Sequence, residues 1–129
     1  MKTVKAILAV ILATAWISIS EFLRNQFFLK SYWTGHYTKL GLVFPSEPVN
    51  GVIWGVWALV FAILILILSR KFSLTGTVLF SWVMGFILMW LVIGNLSVLP
   101  FGTLVFAVPW SLVELFIATV IVRQFREKD

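Results

Sequence analysis

The chain predicts an all-α integral membrane protein, a four-span transmembrane helical bundle with both termini cytoplasmic, and three observations carry that prediction. Hydrophobic residues make up 61% of the sequence and charged residues 12%, with mean hydropathy +1.06, against about 45–50% and about 25% in soluble domains. The apolar residues fall into four runs, 4–23, 49–68, 74–93 and 103–122, each close to the ~20 residues that cross a bilayer as helix. If the runs alternate in direction, Lys2, Lys5, Arg70, Lys71, Arg123, Arg126 and Lys128 fall on one side, leaving Arg24, Lys30 and Lys39 on the other. The richer side is cytoplasmic by the positive-inside rule, which places the chain in a cell inner membrane as a multi-pass protein. At 129 residues it reads as one domain.

The first run opens with Lys2 and Lys5 and passes Ala13-Thr14-Ala15, a pattern resembling a secretory signal with its cleavage box. The apolar character persists through Trp16, Ile17 and Ile19, which favours an uncleaved span. This helix is expected to run past Phe27-Phe28-Leu29 until Gly35 breaks it. The outer loop, 24–48, is the one long connection, and Tyr32, Trp33, His36, Tyr37 and Phe44 give it the aromatic character of a headgroup-layer clasp. Pro45-Ser46-Glu47-Pro48 then turns the chain, with Ser46 or Asn50 placed to cap the second helix. The second span carries Gly51, Gly55, Ala58 and Ala62 on one face, a small-residue surface suited to close helix packing. A tight turn at 69–73 leads into the third span, with Ser81 and Gly85 on one face. An uncharged turn, 95–102, leads into the fourth. Short connections make spans two to four antiparallel neighbours.

The residue that least suits this setting is Glu114, near the middle of the fourth span. A carboxylate there must be neutral, paired or beside water. Ala107, Ser111, Glu114 and Ala118 share a helical face, and small residues on it point Glu114 toward other helices. In the first span Thr14, Ser18, Glu21 and Asn25 form one stripe, with Arg24 a step round the helix and able to pair with Glu21. At about 1.5 Å per residue Glu114 lies ~12 Å from the inner boundary, level with Thr14 and Ser81. Glu21, at ~25 Å, is level with Trp54, Trp90 and Asn50. The expectation is an outward-opening polar cleft. Glu114 and Ser111 form its base, Ser18 lies a turn further out, and Glu21, Arg24, Asn25, Asn50, Asn95 and Trp54 lie toward its mouth. Pro109 would free backbone groups beside it.

Glu114 has three possible roles: a hydrogen-bonded strut, a proton-cycling group at a substrate or ion site, or the counter-charge of an arriving cation. Trp54, Trp90 or Trp110 beside a carboxylate would form a cation-binding box. The absence of cysteine excludes disulfides and thiolate chemistry. The single histidine gives no metal or haem ligand set, and no phosphate-binding glycine loop is present. No cofactor, metal site or enzyme activity is expected. The net charge of +5 is spread over span ends, so nucleic acid is not an expected partner.

In size and span number the chain resembles the small multidrug-resistance transporters and the small fluoride channels, and it departs from both. Their balanced charge is replaced here by the seven-to-three bias. The transporters' acid lies inside the first span whereas Glu21 is near that span's outer end, and the channels' Thr- and Phe-rich box is missing. The stretch Phe44-Pro45-x-x-Pro48-Val49-Asn50-Gly51-x-x-Trp54-x-x-Trp57 resembles the loop and second helix of the tryptophan-rich sensory, translocator-type family, which binds porphyrins and sterols. That family has one span more and a Trp-x-Pro-Pro motif absent here, and the likeness, under a fifth of the chain, assigns no site. The functional expectation is a small transporter or channel-like protein, linked to a proton or small cation. The alternatives are a non-catalytic accessory or structural subunit, or a binding protein for a small hydrophobic ligand. Because four spans enclose little volume, a homodimer or a larger membrane complex is the expected working form.

Overall fold

The computed structural model describes residues 2–125, so Arg126 and Lys128 of the orientation argument lie outside the described residues. Helix α1 spans Lys2–Phe22 and continues through a wide π-helical turn, Leu23–Phe28. Helix α2 covers Lys30–Lys39 and α3 covers Pro48–Lys71. Helix α4, Leu74–Trp82, passes through a second π-helical turn, Val83–Ile87, into α5, Leu88–Asn95. A 3₁₀ turn, Phe101–Thr103, precedes α6, Leu104–Gln124. Four stretches, Lys2–Phe28, Pro48–Lys71, Leu74–Asn95 and Phe101–Gln124, are long and apolar enough to cross a membrane, which suggests a multi-pass membrane protein. Each runs a few residues beyond the stretch expected for it from hydropathy, because backbone hydrogen bonding continues after the apolar side chains end.

Local chemistry sets the boundaries. Pro48 opens α3 at a position where its missing N–H costs nothing. The Glu47 backbone N–H donates to Asn50 Oδ1 at 3.0 Å, so Asn50 caps this helix from inside its first turn. Ser73 caps α4, its Oγ accepting from the Gly76 N–H at 3.1 Å. The outer loop differs from expectation. Helix α2 runs straight through Gly35, and it is Gly41, at φ 73°, that ends it. A glycine inside a helix costs only about 1 kcal/mol relative to alanine, whereas a helix stop is made by the left-handed conformation that Gly41 adopts.

The core occupies the half of the bundle nearer the chain termini. Helix α1 packs mainly against α3 and α6, and α4 packs against both α6 and α3. Ala9, Ala13 and Ile17 of α1 join Ala58, Ala62 and Ile65 of α3 and Leu115, Ala118 and Val122 of α6 in one buried cluster. Alanines let the backbones approach closely, which is how helices associate when lipid removes the hydrophobic contrast. Gly85 has the same role at one point, since a Cβ there would collide with the Phe61 ring. Large apolar side chains cover the outside of every span, including Ile11, Leu12, Val60, Leu64, Leu79, Leu91, Val113 and Phe116, all exposed. A belt of this extent suits contact with lipid.

Candidate functional site: a cavity at the distal end

At the end of the bundle away from the termini, the helices separate around a cavity of about 700 Å³, within the 300–1,000 Å³ range usual for ligand pockets. The first-span extension, the start of α3, α5 and the start of α6 wall it, and Trp33, Tyr37 and Phe44 close it on the α2 side. Those three rings pack together, Trp33 stacking on Phe44 at 5.6 Å and Tyr37 meeting Phe44 edge-on at 5.2 Å. Helix α2 is joined to the α5–α6 connection by the His36 Nε2 contact to the Ser97 carbonyl at 2.7 Å. Ser97 has φ 64°, which turns its carbonyl region at the α5–α6 connection.

The cavity is charged at depth. Glu21 and Arg24 line it although they are only 4% and 3% exposed. Arg24 Nη2 donates to Glu21 Oε2 at 2.5 Å, and Asn25 Nδ2 donates to the same oxygen at 3.0 Å. Asn25 Oδ1 in turn accepts from Trp33 Nε1 at 3.1 Å. On the other side of the guanidinium, Arg24 Nη1 lies 3.9 Å from Glu114 Oε1 and has no hydrogen-bond partner among the described residues. Glu114, 1% exposed, is therefore not on the cavity wall; it is held behind Arg24 and beside Ser20 and Glu21. Two carboxyls and one guanidinium form a buried series from the cavity into the bundle, with formally one carboxyl in excess.

Both π-helical turns meet at this level. A π turn adds one residue to a helical turn, which rotates the helix beyond it and commonly marks functional sites. The first carries Arg24, whose carbonyl accepts the closing bond from the Leu29 N–H at 2.8 Å. The second carries Phe86, fully buried, with Arg24 Cζ 5.3 Å from its ring centre. Phe86 also contacts Trp90 of the cavity wall at 5.7 Å.

The structure brings Ser18, Glu21, Arg24, Asn25, Asn50 and Trp54 together around one cavity. Asn50 has its amide oxygen engaged in the α3 cap. Ser111 lies away from the cavity wall, donating to the Val108 carbonyl at 2.9 Å and accepting from Trp82 Nε1 at 2.9 Å. Asn95 is exposed and also off the wall. Pro109 is exposed within α6 and does not line the cavity. Gly51 and Gly55, expected to pack against a helix, instead border the cavity, and a Cβ on either would meet nothing within 4 Å. The buried ridge of the first span is Ala13, Ile17, Ser20, Glu21 and Arg24, one step round from the predicted stripe, and Thr14 and Ser18 flank it half-buried. Sequence reasoning missed Ser20, which accepts from Trp110 Nε1 at 2.9 Å, and Trp16, whose Nε1 donates to the Glu114 carbonyl at 2.9 Å.

This arrangement can hold a small molecule against aromatic walls and present it to a buried carboxylate. Among the described residues no group of three or more His, Cys, Asp or Glu is placed to hold a metal ion. Comparison with protein-family models, curated proteins and solved structures found no match.

Proposed function

We propose that this is a small inner-membrane transporter, both termini cytoplasmic, that takes a small ligand into a cavity open to the outer side. In this reading the Glu21–Arg24–Glu114 series links occupancy of the cavity to a proton or cation. The observation that carries it is that series itself: three buried ionisable groups run from the cavity wall into the bundle, although intramembrane charges are costly and tend to mark substrate or ion pathways. The basic residues support the orientation, with seven of ten on the terminal side. A second reading, a binding protein that carries nothing across, is favoured by the tight alanine packing that closes the terminal half.

Proteoliposomes separate the two. For a transporter, ligand-dependent proton or cation flux is present in the wild type and lost in Glu21→Gln and Glu114→Gln, while Ser111→Ala retains it. Binding without flux in any chain supports the second reading.

A further inference from the structure

We propose that the cavity takes an amphipathic organic monocation, a protonated amine on an apolar body, whose ammonium donates to Glu21 Oε1. The inference deepens the binding-cavity reading above and rests on it. Four observations point to this ligand class.

The first is the state of Glu21. Its Oε2 already accepts two hydrogen bonds, from Arg24 and Asn25, whereas Oε1 is buried with no hydrogen-bond partner among the described residues. A buried carboxylate oxygen without a donor is costly, and this one belongs to a side chain on the cavity wall. The second is the charge around the cavity. Among the described residues Arg24 is the one basic residue on the wall, and its two amino groups are directed at Glu21 and toward Glu114. Glu47 adds a further acid at the rim, while α4 and α5 supply no charged group to the wall and α2 supplies Tyr37. Arg24 Nη1, like Glu21 Oε1, has no hydrogen-bond partner among the described residues, but it already faces Glu114 at 3.9 Å; an anion there would bring a third acid to one guanidinium, whereas a cation at Glu21 Oε1 offsets the formal excess of carboxyls.

The third observation is the aromatic lining. Trp54 and Trp90 both line the cavity, from α3 and α5. Indole faces attract a cation and bury an apolar body equally well. The fourth is the pair of glycines, Gly51 and Gly55, which leave the α3 wall flat where an apolar group would lie.

A matched series tests the class. Phenethylammonium, phenethyl alcohol, hydrocinnamate and phenylalanine share one phenyl body and differ in bearing an ammonium, a hydroxyl, a carboxylate or both charges. Each is titrated calorimetrically into the full chain in lipid nanodiscs, with empty nanodiscs subtracted. The expected result is that phenethylammonium binds about tenfold or more tightly than the alcohol and the carboxylate, the scale of one charge-assisted hydrogen bond. Glu21→Gln should remove that preference, and Gly55→Leu, which leaves every charge in place, should abolish binding of the ammonium.

If hydrocinnamate or phenylalanine binds more tightly than phenethylammonium, Arg24 Nη1 is the ligand-facing group and the inference is overturned. Equal binding of alcohol and ammonium overturns the cation class and leaves the binding cavity standing. Binding of all four that Gly55→Leu does not change places the ligands elsewhere and overturns both, as does the absence of heat with any of them.

Discussion

Arg24→Met replaces the guanidinium by an unbranched apolar chain of similar reach, and the structure sets the size of the effect. Arg24 Nη1 lies 3.9 Å from Glu114 Oε1; with both groups ionised, two unit charges there would interact by at most about 4 kcal/mol at an effective dielectric near 20. The bond to Glu21 is shorter, and the guanidinium also lies over the Phe86 ring, a contact of about 2 kcal/mol when desolvated. These terms overlap and part of each is offset by desolvation. The better guide is the cost of removing one partner from a buried ion pair, about 3–5 kcal/mol. Arg24→Met should therefore lose about 3–5 kcal/mol of stability, because it leaves two carboxyls facing each other without a cation. Unfolding by graded dodecyl sulfate in mixed micelles, followed by tryptophan emission, measures it. Adding Glu21→Gln to Arg24→Met should recover at least about 1 kcal/mol, since neighbouring groups in one network couple on that scale. A single variant within about 0.5 kcal/mol of wild type, or a double variant with no recovery, would refute the buried series.

Three further variants probe the frame around the cavity. Gly85→Ala drives a Cβ into the Phe61 ring and should cost about 1–3 kcal/mol by overpacking; thermal unfolding in detergent reads it, and Phe61→Val in the same chain should restore stability. Ser111→Ala removes the acceptor of Trp82 Nε1 and should cost about 0.5–1.5 kcal/mol, with a change in the Trp82 emission in a chain whose other tryptophans are replaced by phenylalanine. Gly55→Leu should leave stability within about 1 kcal/mol of wild type in the same unfolding assay, since its side chain enters open space.

Much of this frame is legible in the amino-acid sequence, and its limits have physical causes. Hydropathy places the four spans because lipid demands about 20 apolar residues of helix. The small face around Glu114 points inward because alanine and serine pack where leucine and phenylalanine do not, and Glu114 is indeed enclosed beside the first span. The i, i+3 spacing of Glu21 and Arg24 makes their pairing readable.

What the sequence hides is phase. Extending a 3.6-residue period past Phe22 puts Asn25 on the polar stripe and Arg24 beside it. The observed π turn at Leu23–Phe28 accompanies a ridge in which Arg24 is buried and Asn25 half-exposed. No residue type announces such a turn, and an arginine near a helix end reads as one that reaches out to the headgroups. Glycine is also ambiguous: Gly35 sits inside α2, Gly41 ends it, Gly85 admits a neighbouring ring, and Gly55 faces open space. Only tertiary neighbours distinguish these uses.

The most direct test of the central claim, a ligand-accepting cavity open to the outer side, uses the absence of native cysteine. Gly55→Cys places one thiol on the cavity wall, to be challenged in right-side-out membrane vesicles with a membrane-impermeant maleimide. The account predicts labelling from outside that phenethylammonium slows. No labelling from either side, or labelling only when the cytoplasmic face is exposed in inverted vesicles, would contradict it.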